Sequence, residues 1–221
     1  MQVKGKKLIE RIVDSVKRIA DRNPTANRSP LSSILSLLFA ISYLLFAAFT
    51  GCATAPKVQQ SINVGFDCDD TLLFSTPAFE IANKSEYSEY SDEWWAIVNK
   101  SDEGNSIVKK VTEKILNEHK QKCDEIFVIT SREDFEGDIL RDFLNKTFGI
   151  KKQNIYFEHK KANKIKELNI SIFYGDSDSD ITAAQEAGAK GIRILRSPKS
   201  SYKGKYHPGQ LGEEIIPNSE E

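Results

Sequence analysis

The chain has 221 residues, a formal net charge of −1 and 29% charged residues. This length suits one domain with additional segments, and the balanced charge gives no indication of a nucleic-acid polymer as partner. Three scattered cysteines are too few for a disulfide framework, and their spacing fits no zinc site.

The N-terminal region differs in charge from the rest of the chain. Residues 1–56 contain eight Lys/Arg and three Asp/Glu, whereas the remainder is acidic overall. Within residues 1–30, apolar side chains recur at helical spacing among basic residues, which predicts an amphipathic region that lies at a membrane surface. A basic start before an acidic body is typical of targeted proteins.

An uncharged apolar segment follows, LSSILSLLFAISYLLFAAFT at 31–50. A helix of this length spans a bilayer core of roughly 30 Å, so residues 31–52 are predicted to be a signal or membrane-anchor segment. Basic residues precede it, which places the body outside the cytoplasm. The sequence FTGCATAP resembles a bacterial lipoprotein signal with Cys52 as the lipidation site; an uncleaved anchor is the alternative. Residues 53–60 are predicted to be a linker.

The body of the chain, 61–221, alternates between two apolar patterns. Apolar residues at helical spacing predict helices, and apolar runs rich in β-branched residues predict strands. The second predicted helix is expected to end at Gly149. The tail 196–221 is predicted to be irregular. This alternation predicts an α/β fold with a doubly wound parallel sheet. The predicted strands are 62–66, 124–130, 154–158, 169–175 and 191–195, and the predicted helices are 106–120, 135–148, 160–168 and 179–187.

Three predicted strands end in polar residues: DCDDT at 67–71, TSR at 130–132 and DSDSD at 176–180. Binding sites of parallel sheets lie at the carboxyl ends of strands, so these ends are expected to converge. Crowded carboxylates repel unless a cation or hydrogen-bond donors compensate them, and carboxylates that leave room for phosphate oxygens favour Mg²⁺. A solvated turn without a metal is the alternative interpretation. It accounts for a single acidic cluster more readily than for two clusters that each follow an apolar strand.

These segments resemble the motifs of a known enzyme superfamily. FDCDDT, VITSR, Lys161 and GDSDSD are similar, in order, to the four motifs of the haloacid dehalogenase (HAD) superfamily. Longer stretches, among them VGFDCDDTLLFSTPAF and IFYGDSDSDITAAQEAGAKGIRILR, resemble the class B acid phosphatases of bacterial periplasms. The resemblance covers roughly residues 60–220. It implies a HAD-like Rossmannoid domain over 61–221 with a small helical cap inserted at about 75–104.

The resemblance implies roles for the motif residues. Asp67 would be the catalytic nucleophile and a Mg²⁺ ligand, and Asp176 the second carboxylate ligand. Asp69 would be the general acid/base and would also bind the metal through its backbone carbonyl. The resemblance assigns no clear role to Asp70 or Asp178.

Further residues would bind the phosphate. Thr130, Arg132 and Lys161 match the phosphate-binding positions of the family, and Lys164, one helical turn on, is the alternative lysine. Asp180 would orient Lys161 or a water on the metal.

The implied function is hydrolysis of small phosphomonoesters such as nucleotides, with phosphoryl transfer to alcohols as a second activity. Aromatic pocket candidates are Phe79, Trp94, Trp95 and Tyr202, each with ordinary packing as the alternative interpretation. The family also implies a periplasmic location and a homo-oligomer. Two other hypotheses are a membrane-tethered HAD-fold binding protein without turnover and a class C-like lipoprotein phosphatase.

Overall fold

A computed structural model describes residues 60–221 of the chain. The predictions for the amphipathic region 1–30, the segment 31–52 and the lipidation site Cys52 lie outside the described residues. From residue 60 onwards, no helix has the length and apolar character needed to cross a membrane.

The described residues contain eight strands and six α-helices that alternate along the chain. In chain order they are β1 (Asn63–Phe66), β2 (Leu73–Phe74), α1 (Thr76–Asn83), α2 (Asp92–Asn105), β3 (Ile107–Val108), α3 (Lys110–Gln121), β4 (Glu125–Thr130), α4 (Gly137–Phe148), β5 (Ile155–Phe157), α5 (Lys161–Glu167), β6 (Ile170–Gly175), α6 (Asp178–Glu186), β7 (Lys190–Ile194) and β8 (Glu214–Ile216).

Six strands form one parallel sheet in the order β5–β4–β1–β6–β7–β8. The chain builds one side of the sheet through β4 and β5 and the other through β6, β7 and β8, with β1 between them. The predicted doubly wound parallel sheet is therefore confirmed. Such a reversal of strand order beside the first strand creates a crevice at the carboxyl ends of the strands.

The sheet is covered on both faces because its strands are apolar on both sides. Phe66 of β1 belongs to the same buried cluster as Leu116 of α3 and Leu144 of α4. On the other face, Phe173 of β6 clusters with Ile165 of α5. Burying each such Leu, Ile or Phe side chain stabilises the fold by about 1.5–3 kcal/mol, so the strands that carry the site are fixed by packing on both sides.

Gly65 in β1 shows how closely the central strands approach. A Cβ atom at this position would lie 2.5 Å from the Phe173 ring, closer than real contacts allow. Glycine therefore leaves room for the Phe173 ring of β6 beside β1, two residues before Asp67.

Two sequence-based predictions of local structure were wrong. The helix predicted over 106–120 begins only at Lys110, because Ile107 and Val108 form β3, which pairs antiparallel with β2. The tail predicted to be irregular contains β8, which extends the sheet by pairing Ile192–Ile194 with Glu214–Ile216. A strand of three residues is too short to show a clear periodicity.

Helices α1 and α2 occupy the stretch for which a cap insertion is predicted. They have a small apolar cluster of their own, formed by Ala82, Trp94, Trp95 and Val98. Ser91 begins α2 by accepting a hydrogen bond from the Trp94 backbone N–H at 3.3 Å. The helical geometry of α2 breaks at Gly104, whose φ of +100° favours glycine.

Candidate active site

The carboxyl ends of three neighbouring strands bring the acidic and hydroxyl motif residues together. Asp67 follows β1, Thr130 ends β4 and Asp176 follows β6, and all three are buried. The Asp67 backbone N–H donates to the Tyr174 carbonyl at 2.8 Å, which continues the β1–β6 ladder into the motif. The position of Asp67 is therefore set by sheet hydrogen bonds.

A lysine lies between two of the carboxylates. Lys161 is the first residue of α5, and its Nζ donates to Asp67 Oδ1 at 2.5 Å and to Asp180 Oδ1 at 2.7 Å. Lys164, the alternative lysine, instead pairs with Glu167 at 2.7 Å. Of the two candidates, the structure thus places Lys161 against Asp67.

Asp180 is fixed in turn by the start of α6. Its Oδ2 accepts hydrogen bonds from the Ser177 hydroxyl at 2.7 Å and from the Ser177 backbone N–H at 3.1 Å, in a capping box. Both Asp180 oxygens are consequently engaged by protein donors. Asp180 thereby links Lys161 to the start of α6.

The cluster contains more negative than positive charge. Burial and the charge of Asp180 raise the pKa of Asp176 to about 7. Burial also raises the pKa of Asp67 well above its usual range, although the neighbouring Lys161 opposes this rise. Burial lowers the pKa of Lys161, but the charges of Asp180 and Asp67 outweigh burial and raise that pKa above its ordinary value.

The oxygens available in this cluster fit a hard divalent cation. One oxygen from each of Asp67, Asp176 and Asp180 can lie within 4.8 Å of the others. Asp176 Oδ2 is bound by Arg196 Nε at 2.5 Å, whereas Oδ1 accepts no hydrogen bond from the described residues. Asp67 Oδ2 has only a long contact, 3.4 Å to Thr71 Oγ1. Carboxylate oxygens of this kind are ligands that Mg²⁺ prefers.

Asp69 makes a different ion pair. Its two oxygens accept from Arg132 Nε at 3.0 Å and from Nη2 at 2.6 Å. Burial alone would raise the pKa of Asp69, but the charge and hydrogen bonds of Arg132 lower it below its usual value. Asp69 is therefore held as a carboxylate beside the cluster of Asp67.

The five N–H groups of Arg132 all face protein acceptors. Besides Asp69, Nη1 donates to Asn99 Oδ1 at 3.1 Å and to Asp102 Oδ2 at 2.5 Å, and Nη2 donates to Asp102 Oδ1 at 3.3 Å. A phosphate oxygen would have to replace one of these acceptors. The predicted phosphate contact of Arg132 stays a prediction.

Comparison with known proteins identifies the family. The sequence model of the family described as HAD superfamily, subfamily IIIB (acid phosphatase), matches residues 43–205. The chain belongs to this family. It is therefore an acid phosphatase of the HAD superfamily, a phosphomonoesterase.

Several relatives carry the name class B acid phosphatase. The protein from Salmonella arizonae is 39% identical over 71% of this chain and 72% of its own, and that from Rahnella sp. is 37% identical over 74% and 78%. Among solved structures, a HAD family hydrolase from Deinococcus radiodurans is 13% identical with a TM-score of 0.47, and the match covers 71% of this chain and 90% of that one.

The phosphatase also contains a buried arginine that the motif analysis missed. Arg196 lies between the rings of Tyr202 and Tyr206, at 4.8 and 4.7 Å, and binds Asp176. It is the second residue after β7, near the strand end, where the other polar site residues also lie. That position is the sequence pattern that could have identified it.

Asp70, without a role in the motif comparison, is a structural link in the phosphatase. Its φ of 54° places it in the left-handed region, which Asp tolerates better than most residues. The Ser200 hydroxyl donates to Asp70 Oδ2 at 2.5 Å, and Lys109 Nζ donates to the carbonyls of Asp70 and Leu195 at 2.8 and 2.6 Å. These bonds join the acidic motif to the loop after β7.

Three of the four aromatic pocket candidates pack together in the α1–α2 region of the phosphatase, where the Phe79 ring lies 5.6 Å from the Trp94 ring; Tyr202 belongs to the loop after β7. Trp94 and Trp95 are buried in the cluster of α1 and α2, where Trp94 Nε1 donates to Asn83 at 2.9 Å. The Phe79 ring lies 5.6 Å from the Arg132 guanidinium, and Tyr202 is half exposed over Arg196. Phe79 and Tyr202 are thus the two candidates that contact charged residues of the site.

Proposed function

We propose that this acid phosphatase depends on Mg²⁺ and hydrolyses small phosphomonoesters, such as nucleotides, through a phosphoaspartate on Asp67. The observation that supports this most directly is the position of Asp67. Its carboxylate lies at the end of the central strand, 2.5 Å from Lys161 Nζ, in one cluster with Asp176.

In the proposed reaction, an Asp67 carboxylate oxygen attacks phosphorus and the bond from phosphorus to the ester oxygen breaks. Asp69, once released from Arg132 and protonated, donates its proton to that oxygen, so an alcohol leaves. Water, losing its proton to Asp69, then attacks the phosphoaspartate, which releases phosphate and restores Asp67. An alcohol in place of water would receive the phosphoryl group instead.

Three side chains would contact the phosphoryl oxygens, and the two cations among them would offset their negative charge. Lys161 and Thr130 are the proposed phosphate contacts at the strand ends, with Arg132 as a further one. Asp67, Asp176 and the Asp69 backbone carbonyl would hold Mg²⁺, which when bound offsets negative charge on the phosphoryl group. Asp180 keeps Lys161 in place for this contact.

The proposed substrate pocket and location follow the family resemblance. Phe79, Trp94, Trp95 and Tyr202 would surround the leaving group, with α1 and α2 as the cap. The enzyme would be attached, as a homo-oligomer, to the periplasmic side of a bacterial membrane, either through lipid on Cys52 after cleavage or through residues 31–52 as an uncleaved anchor. Mass spectrometry of membrane-extracted protein tests this attachment, because a cleaved, lipidated N-terminus and an intact anchor differ in mass.

An assay with p-nitrophenyl phosphate tests the proposed reaction. The full chain, purified in detergent, is expected to release p-nitrophenol between pH 5 and 8 when Mg²⁺ is present and to lose this activity after chelation with EDTA. Activity that is unchanged by EDTA contradicts the metal dependence. Absence of turnover in both conditions contradicts the proposed reaction as a whole.

A further inference from the structure

Arg132 is shared by two carboxylates that differ in their access to solvent. The Asp69 side chain is 27% exposed, whereas the Arg132 and Asp102 side chains are 1% and 0% exposed. Asp69 follows β1 in the loop of the acidic motif, and Asp102 lies in α2. One member of this set therefore faces the open site while the other two are enclosed.

The proposed reaction requires Asp69 to give up this ion pair. Both Asp69 oxygens accept hydrogen bonds from Arg132, so an oxygen that turns to the leaving oxygen of a substrate gives up one of these bonds. When Asp69 turns to the substrate, Arg132 stays buried. A buried guanidinium without a counter-ion is strongly unfavourable, so an acceptor that stays in place must hold it, whether or not Arg132 also contacts the phosphate.

We propose that Asp102 is this second acceptor: a positioning residue that remains paired with Arg132 while Asp69 turns to the leaving group. The proposal rests on the proposed function, because it assumes the acid/base role of Asp69. Asp102 itself never contacts the substrate.

The surroundings of Asp102 suit a fixed counter-ion. Its Oδ1 accepts from the Ser106 hydroxyl at 2.5 Å, and its Oδ2 from Arg132 Nη1 at 2.5 Å. Asn99, one turn earlier in α2, binds the same Nη1 and donates to the carbonyls of Glu133 and Phe135 at 3.2 and 2.8 Å. Helix α2 is thereby tied to the loop after β4, and Asp102 keeps its place when Asp69 moves.

Substitution Asp102→Asn removes the counter-ion and makes Asp69 the only carboxylate paired with Arg132. Asp69 then leaves its ion pair with Arg132 less readily, and it is less available to protonate the leaving group. An alkyl phosphate such as glycerol 2-phosphate needs proton donation to its leaving oxygen, whereas p-nitrophenolate leaves with little assistance. We expect kcat/KM of D102N to fall on the order of a hundredfold for the alkyl ester and less than about fivefold for p-nitrophenyl phosphate. The value of kcat/KM reports only the steps up to formation of the phosphoaspartate, so hydrolysis of that intermediate does not affect the comparison.

A matched control separates this role from general damage to the fold. Asp124→Asn removes another buried carboxylate, which pairs with His119 at the opposite end of β4. We expect D124N to change kcat/KM for the two esters by the same factor. Equal losses for both esters in D102N would overturn the inference. An inactive wild-type enzyme would instead contradict the proposed function.

A milder variant keeps the test decisive if D102N does not fold, as judged by circular dichroism. Ser106→Ala removes only the hydroxyl bonded to Asp102 Oδ1. The expected result is a selective loss of about threefold for the alkyl ester. An equal change for both esters in S106A also overturns the inference.

Discussion

Two regions of the molecule position their residues by different means: the carboxyl ends of β4, β1 and β6, called the sheet edge below, and the helix pair α1–α2. At the sheet edge, strand hydrogen bonds and packing on both faces set the positions of Asp67, Thr130 and Asp176. The helix pair packs around its own aromatic cluster and is tied to the sheet through Asn99 and Asp102. We infer that the chemistry belongs to the rigid sheet edge, and the choice of substrate to the helix pair together with Tyr202 in the loop after β7.

The largest expected effect is at the sheet edge. Asp67→Asn removes the nucleophile but keeps the size of the side chain, so turnover of p-nitrophenyl phosphate is expected to fall by at least about 10⁴-fold. The matched control is Asp138→Asn, a surface carboxylate 94% exposed that pairs with Arg141, which is expected to keep wild-type activity. Retained turnover in D67N would place the nucleophile elsewhere.

The two candidate lysines provide a second test of the sheet edge. Lys161→Ala is expected to lower kcat by about 10²–10³-fold, because phosphoryl charge loses its buried cation. Lys164→Ala, which removes an ion pair with Glu167 and a contact with the Tyr156 ring, is expected to change kcat by less than about twofold. Steady-state kinetics of both variants checks this, and a reversed order would assign the phosphate contact to Lys164.

The residues of the sheet edge could be predicted from sequence because the pattern that indicates them lies within short stretches of the chain. Each apolar strand is followed at once by its polar motif, and parallel pairing brings the carboxyl ends together whatever the loops between them do. The start of α3 was harder, since Ile107 and Val108 satisfy both helical and strand patterns until β2 pairs with them. The partners of Asp67 thus follow from strand order, and the bounds of α3 do not.

The polar links between the sheet and its surroundings could not be predicted. Asp102 lies in a polar part of α2, and its burial follows from the tertiary position of Arg132. Lys109 is likewise buried against two carbonyls that are distant in sequence. No periodicity or motif indicates such partners, because each depends on how separate elements pack.

The stability of the metal-free protein tests how the clustered carboxylates of the sheet edge respond to pH. The pKa of Asp176 is raised to about 7 and that of Asp67 is also raised, so the folded protein retains protons that the unfolded chain releases near pH 4. The metal-free protein should therefore lose stability as pH rises from about 4 to 7. Mg²⁺ bound at the proposed site would replace these protons and would stabilise the protein most above pH 7.

Thermal unfolding measures this effect. With excess Mg²⁺ we expect Tm to rise by about 5 °C at pH 7.5 and by clearly less at pH 5, where protons compete with the metal. Asp176→Asn should abolish the rise at pH 7.5. An equal rise at both pH values would contradict the assignment of the metal to these carboxylates.

The smallest expected effect concerns the aromatic residues around the site. Tyr202→Ala removes a half-exposed ring but keeps the Tyr202 carbonyl that accepts from Arg196 at 3.0 Å. Stacking on a nucleobase is worth about 1 kcal/mol, so KM for a nucleoside monophosphate should rise about fivefold with kcat nearly unchanged. Glycerol 2-phosphate, which has no ring, should keep its KM.

Tyr87→Ala is the matched control for this test, because Tyr87 is an exposed tyrosine in the connection between α1 and α2. It should leave both KM values unchanged, whereas Phe79→Ala should resemble Tyr202→Ala. If Tyr202→Ala raises KM equally for the ringless ester, the tyrosine acts through Arg196 on Asp176 instead of on the leaving group. Substrate selection would then belong to the sheet edge as well, and the division of roles between the two regions would be wrong.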